Sequence, residues 1–112
     1  MNQRAIVLIP FPFSDQSGTK VRPGLIISNT NYNKEGDDII ICAITSVLVK
    51  SPYTLLLGQQ DLDEGTLYEK SAIKIENITK IKKTLVIKKI GTVNKATFLK
   101  AQKLLLNLFS SS

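Results

Sequence analysis

The stretch Lys20-Val21-Arg22-Pro23-Gly24-Leu25-Ile26-Ile27-Ser28-Asn29, answered further along by Ile39-Ile40-Ile41-Cys42-Ala43-Ile44-Thr45-Ser46, decides how this chain folds. Residues 25–28 and 39–44 are short runs rich in β-branched residues and bounded by polar or turn-forming ones, the pattern of buried strands. Arg22 then stands at one strand entrance and Thr45 at the next strand's exit. Sequential strands usually lie side by side, and an antiparallel pair sets the start of one beside the end of the other. A fixed cation and a hydroxyl are therefore expected on one rim of a sheet. On spacing alone, a surface arginine and a polar turn cap are the favoured reading of the two residues.

The pattern outward from this pair is mostly β. Residues 5–10 form a nearly unbroken apolar strand that Phe11-Pro12-Phe13 continues, and residues 14–19 make a polar connector. Residues 29–38 have the composition of a loop with a short helical turn. Further strands are expected at residues 53–57 and 85–90, the latter closed by Gly91, with a turn at 61–65. Between them Ile73 and Ile75 alternate with Lys74 and Glu76, as in a half-buried strand. After Asn94, a good N-cap, Phe98, Ala101, Leu105 and Leu108, with Leu104 and Phe109 beside them, recur at helical spacing. The expected fold is mainly β with a C-terminal helix: five or six short strands in a strongly curved antiparallel sheet or partly open barrel.

Composition narrows the class. At 112 residues the chain suits one domain, residues 1–112, and its 43% apolar and 21% charged content is that of a globular protein. No run is long enough to span a membrane and no signal peptide pattern opens the chain, so a cytoplasmic location is expected. Fifteen Lys plus Arg against nine Asp plus Glu gives +6, which favours a polyanionic partner over a merely solvated lysine face. The single Cys42 lies in an expected core strand and forms no internal disulfide. Asp61, Asp63 and Glu64 read as a solvated acidic turn without calcium-loop spacing.

Much catalytic chemistry is excluded by the letters themselves. With no His and one Cys there is no ordinary zinc site, no Ser-His-Asp triad and no Cys-His pair. Gly-rich phosphate loops are absent too. Cleavage of RNA fits what remains, because the substrate's own 2′-hydroxyl is the nucleophile and the protein supplies positioning, proton transfer and charge stabilisation. Arg22, permanently charged and able to fork onto two phosphate oxygens, suits the last task, and Thr45 adds a neutral hydrogen bond.

The sequence resembles the MazF/PemK-like toxins of bacterial type II toxin-antitoxin systems. The matching letters are Phe11-Pro12-Phe13-Ser14-Asp15, Gly18-Thr19-Lys20-Val21-Arg22-Pro23, Ser28-Asn29, Tyr32-Asn33, Ile44-Thr45-Ser46, Ser71-Ala72-Ile73, Glu76-Asn77-Ile78 and Lys89-Ile90-Gly91. The resemblance implies an SH3-like curved antiparallel barrel and a homodimer that cuts single-stranded RNA at short motifs, leaving a 2′,3′-cyclic phosphate, with no metal or cofactor. It makes Arg22 and Thr45 catalytic and puts Lys20, Asn29, Ser46, Ser71 and Lys74 against RNA, under a mobile connector at residues 14–20. It also implies an acidic antitoxin as partner and gives no reason to expect DNA or a membrane.

Two departures stand out. Many relatives carry Gly-Asp where this chain has Arg4-Ala5, and some carry an Arg-x-Asp pair where it has Lys74-Ile75-Glu76. Arginine is a poor general base at neutral pH, so Glu76 is a candidate proton acceptor, with a purely structural pairing as its alternative. Two further readings are a non-cleaving RNA-binding relative and a CcdB-like gyrase inhibitor. The latter family ends in a tryptophan-containing tail, which this chain lacks.

Overall fold

Strand β1 (Ala5–Pro12) is the apolar N-terminal run, and it pairs antiparallel with β2 (Thr19–Ile26) in a register that sets Ile9 opposite Arg22 and Val7 opposite Gly24. The computed structural model describes residues 1–12 and 19–112, so the connector expected at residues 14–19 lies almost wholly outside the described residues. A six-residue helix, α1 (Thr30–Glu35), leads into β3 (Asp38–Thr45), which pairs with β2 through Gly24↔Ala43, Leu25↔Cys42 and Ile26↔Ile41. Then come β4 (Thr54–Leu57), β5 (Leu62–Gly65), the long β6 (Ser71–Lys82), β7 (Lys88–Val93) and the C-terminal helix α2 (Lys95–Leu108).

Among the described residues these strands form one curled antiparallel half-barrel sheet of seven strands, in the order β4-β6-β3-β2-β1-β7-β5. Its two faces are buried differently, because side chains alternate along each strand. On one face Leu25, Ile44, Ile73, Ile75 and Val93 pack with Phe98 and Ala101 of α2. On the other Val7, Ile9, Ile26, Ile39 and Ile41 form a second cluster, covered in part by Ile81 and Val86. Neither described helix is long and apolar enough to cross a membrane.

Several local expectations need correction. The second strand starts at Thr19, not at residue 25, and so Arg22 lies within β2 and not at its entrance. Pro23 is tolerated there because the paired register with β3 stops at Gly24, just short of the residue that has no N–H to donate. The strand expected at residues 85–90 is shifted along the chain: a 3₁₀ turn covers Lys83–Leu85 and the strand, β7, runs Lys88–Val93.

The acidic segment is not a solvated turn either. It forms a 3₁₀ turn, Gln59–Asp61, and then the edge strand β5, and each carboxylate has its own partner. Asp61 accepts from Gly58 N at 2.8 Å and from Thr97 Oγ1 at 2.9 Å, tying this turn to the start of α2. Asp63 pairs with Arg4 at 3.2 Å, and Glu64 accepts from Lys89 and from Thr92 Oγ1. Gly65, at φ +91°, and Gly91 bring the β5 and β7 backbones together; a Cβ on Gly65 would stand 2.2 Å from Ile90 O. Gly91 therefore belongs inside β7 and does not close a strand before it.

Candidate active site

The site is set by register. Val7, Gly24, Ala43, Lys74 and Thr54 stand level across β1, β2, β3, β6 and β4, each directly opposite the next. Directly opposed residues present their side chains on the same face. Two residues further along β2 and β3 from the Gly24↔Ala43 pair, just beyond the end of that paired register, come Arg22 and Thr45, which by the alternation of each strand share that face. Thr45 in turn stands opposite Ala72. Glycine and alanine at positions 24, 43 and 72 keep the floor low between the longer Arg22 and Lys74.

A β-bulge completes the arrangement. Between the pairs Cys42↔Ile78 and Ala43↔Lys74 the register shifts, so that Ile75, Glu76 and Asn77 have no partner on β3. Bulges of this kind re-aim side chains beside sites. Ile75 stays in the core, while Glu76 is exposed and its Oε1 lies 4.0 Å from Lys74 Nζ. Thr45, Lys74 and Glu76 line a recess of about 130 Å³. Val47, Val49, Ser51 and Thr54 supply its outer wall.

Hydrogen bonding orients the Thr45 hydroxyl. Its Oγ1 accepts from Val47 N at 3.1 Å, which leaves its own O–H to donate into the site. Arg22, partly buried on β2, adds a planar guanidinium that can fork onto two oxygens of an anion. Together these groups make a site for an anion flanked by a carboxylate. Its chemical capacity is to hold a phosphate, stabilise added negative charge and accept a proton.

The sequence profile of the PemK-like, MazF-like toxins of type II toxin-antitoxin systems matches residues 2–109. The chain belongs to that toxin family. Solved structures agree in fold. An endoribonuclease in complex with its cognate antitoxin, from a mycobacterial species, superposes with a TM-score of 0.80 at 18% identity, covering 100% of this chain and 99% of its own. The toxin MazF-mt6 of Mycobacterium tuberculosis gives 0.77 at 17% identity, over 95% and 96% of the two chains. A MazE-MazF complex from Deinococcus radiodurans gives 0.80 at 16% identity, over 100% and 98%. A search of curated protein sequences finds no match.

The toxin's other expected contact residues are dispersed. Lys20 is exposed on β2, two residues from Arg22 and on the same face, and Ser46 is exposed directly after Thr45. Asn29 is instead the N-cap of α1, its Oδ1 accepting from Tyr32 N at 2.7 Å, at the far end of the β2–β3 pair from Arg22. Ser71 is buried and donates to Glu69 O at 3.2 Å, and it lines a separate recess with Leu48, Leu56 and Lys70.

Tyr32-Asn33, one of the letters shared with the family, is structural as well. Asn33 is fully buried in the toxin, and its Nδ2 donates to Met1 O and Ser28 O, both at 3.0 Å. Ser28 Oγ donates to Asn33 Oδ1 and accepts from Ile40 N, while Lys83 Nζ donates to Asn33 O at 2.7 Å. Cys42 is inert: burial first, and then the nearby Glu76 charge, push its thiol up to about 12. The wall residues Val47, Val49, Ser51 and Thr54 carried no chemical signal in the sequence. Of the four, only Thr54 is placed by strand register, that of β4 on β6, which sets it opposite Lys74.

Proposed function

We propose that this toxin is a metal-independent endoribonuclease that cuts single-stranded RNA at a short motif, acting as a cytoplasmic homodimer of one domain per chain and countered by an acidic antitoxin. The observation that supports the reading is that Arg22 and Thr45 lie on one sheet face, each two residues beyond the Gly24↔Ala43 pair, with the Lys74–Glu76 pair on the same side. A structural neighbour that is an endoribonuclease bound to its cognate antitoxin supports both the activity and the partner. The excess of lysines, +6 overall, suits an RNA backbone and an acidic antitoxin segment alike.

In the proposed reaction Glu76 takes the proton of the ribose 2′-hydroxyl as the 2′-oxygen bonds to the adjacent phosphorus. The bond from phosphorus to the 5′-oxygen then breaks, and that oxygen is protonated by water. The products are a 2′,3′-cyclic phosphate and a 5′-hydroxyl. Arg22 and the Thr45 hydroxyl hold the non-bridging oxygens, whose charge grows in the transition state. Lys74 keeps positive charge beside them, its Nζ 4.0 Å from Glu76 Oε1. Lys20 and Ser46 extend the contact along the strand.

The test is to incubate the protein with a long mixed-sequence RNA and a chelator and to map both ends of every fragment. Discrete cuts at one short motif, with cyclic-phosphate and 5′-hydroxyl ends, are expected. RNA left intact overturns the reading.

A further inference from the structure

Residues 77–112 contain eight lysines and no Asp or Glu, so the chain's whole positive excess arises after Glu76, and residues 1–76 carry a net −2. Every residue of the candidate active site lies before residue 77. The catalytic reading therefore leaves this charge unexplained.

The fold sorts the eight lysines. Lys83 Nζ donates to Asn33 O and Lys89 pairs with Glu64, so both are tied into the frame. The other six are exposed. Ile78 packs against the cluster beneath α2, and the regular pairing of β6 with β3 from Ile78 to Lys82 sets Lys80 and Lys82 on that same face. Lys88 stands opposite Leu8, which lies two residues along β1 from Ile6 of that cluster and so shares its side. α2 packs on this face through Thr97, Phe98 and Ala101, and its Lys95, Lys100 and Lys103 are exposed. Arg22, Thr45 and Lys74 share instead the face of Val7 and Ile9, which holds the second cluster. Two basic surfaces thus lie back to back across one sheet.

The rear surface is barely neutralised. Among the described residues, Asp38 is the only carboxylate that forms an ion pair with any of the six, at 3.9 Å from Lys80, and the lysine of that pair is 65% exposed. Such a pair holds little charge back from a partner. The array suits a long polyanion, because from Lys82 on β6 to Lys88 on β7 is four strand spacings, roughly 19 Å along the sheet. A single phosphate cannot meet both ends, whereas a run of phosphates can. Like charge also repels a second copy of the same face.

We propose that this face, built by Lys80, Lys82 and Lys88 with Lys95, Lys100 and Lys103 of α2, is a second RNA-binding surface that holds the phosphate backbone of a long single strand without reading its sequence. That the polyanion is RNA rests on the endoribonuclease reading; the surface itself rests on the placement of charge. Lysine contacts to phosphates position a strand and carry no base information. The role of the surface is tethering: a transcript held at the rear raises the concentration of its own cleavage motifs at the front.

The experiment measures binding of two 2′-O-methyl RNAs, which cannot be cut, across a salt series. One has about 6 nucleotides, enough for a single-strand site, and the other about 40, enough to reach both faces. Lys80→Gln, Lys82→Gln and Lys88→Gln are combined in one variant. It is expected to bind the long RNA about tenfold more weakly at low salt, with the slope of log K against log salt reduced by about 2, the share of three phosphate contacts. Binding of the short RNA stays at the parent's level, and Lys→Arg at the same three positions restores the long-RNA affinity. An unchanged slope for the long RNA overturns the surface, and so does an equal loss for both lengths, which net charge alone would produce. Loss of binding to polyglutamate with long-RNA binding retained overturns it in favour of an acidic protein partner. Failure here is distinct from failure of the nuclease reading, which intact RNA in the mapping experiment would reveal.

Discussion

Lys74 Nζ stands 4.0 Å from Glu76 Oε1 on the face shared with Thr45, and the bulge in β6 is what holds the two there. Both side chains are close to half exposed, so the pair contributes little to stability. In the proposed reaction its consequence is chemical: a carboxylate stands beside Thr45 and Lys74, where the arginine is unsuited to act as a base. Glu76→Gln is expected to lower the cleavage rate by about 10²–10⁴-fold, the usual share of a general base. It should also flatten the acidic limb of the pH-rate profile, whereas a carboxylate that only holds structure would change neither the limb nor the rate at permissive temperature. Single-turnover rates across pH decide this.

The N-terminal turn presents a second case. Arg4 has φ 78°, in the left-handed region that favours glycine, at the position where many relatives carry Gly. Its guanidinium donates to Val93 O at 2.8 Å and to Asp63 Oδ2 at 3.2 Å. Arg4→Gly and Arg4→Ala lose the same side-chain contacts, but only glycine relaxes at this φ. Arg4→Gly is expected to be more stable than Arg4→Ala by about 1–2 kcal/mol in denaturant titration.

Much of this fold is legible in the sequence, and the misses have physical causes. The apolar runs at β1 and β3 and the Asn94-capped helix are strong periodic signals that tertiary contacts only reinforce. By contrast Leu62-Asp63-Glu64-Gly65 has the composition of a turn. It becomes an edge strand because Arg4, Lys89 and Thr92 satisfy its carboxylates and because two glycines permit a close backbone approach. Arg22 and Thr45 emerge from antiparallel pairing of neighbouring strands. Ser51 and Thr54 do not, because hydroxyl residues are common in loops; the register of β4 on β6 sets Thr54 opposite Lys74, and Ser51, in the preceding loop, has its Oγ 3.0 Å from Thr54 Oγ1. The shared letters Asn29 and Asn33 illustrate a different difficulty: a motif that accompanies a function is here an N-cap and a buried latch.

That latch makes its own prediction. Asn33→Ala leaves Ser28 O, Met1 O and the Ser28 hydroxyl without their buried partner. A cost of about 1–3 kcal/mol is expected in equilibrium unfolding. Asn33 is remote from Lys74 and Thr45, so any loss of RNA cleavage should follow the unfolded fraction and vanish on cooling.

Cys42 gives the pH dependence. Its folded pKa is raised above the unfolded value, so its contribution to stability is fully present below the ordinary thiol pKa of about 8.5 and is lost as pH rises from there toward about 12. In the folded protein the thiol is expected to resist a thiol-reactive dye at pH 8 and to react at once in denaturant. Cys42→Ala should remove this part of the alkaline loss of stability. Rapid labelling of the folded protein would contradict the assignment of Cys42 to the core.

The central claim is that Arg22 and Thr45 act together on one phosphate. Its most direct test is the single-turnover cleavage rate of one mapped RNA site by Arg22→Ala, Thr45→Val and the double variant, each first shown to unfold cooperatively like the parent. Loss of about 10²–10³-fold in each single variant is expected, with the double variant falling short of the product because both groups serve one transition state. An Arg22→Ala protein that cuts the site as fast as the parent contradicts the claim.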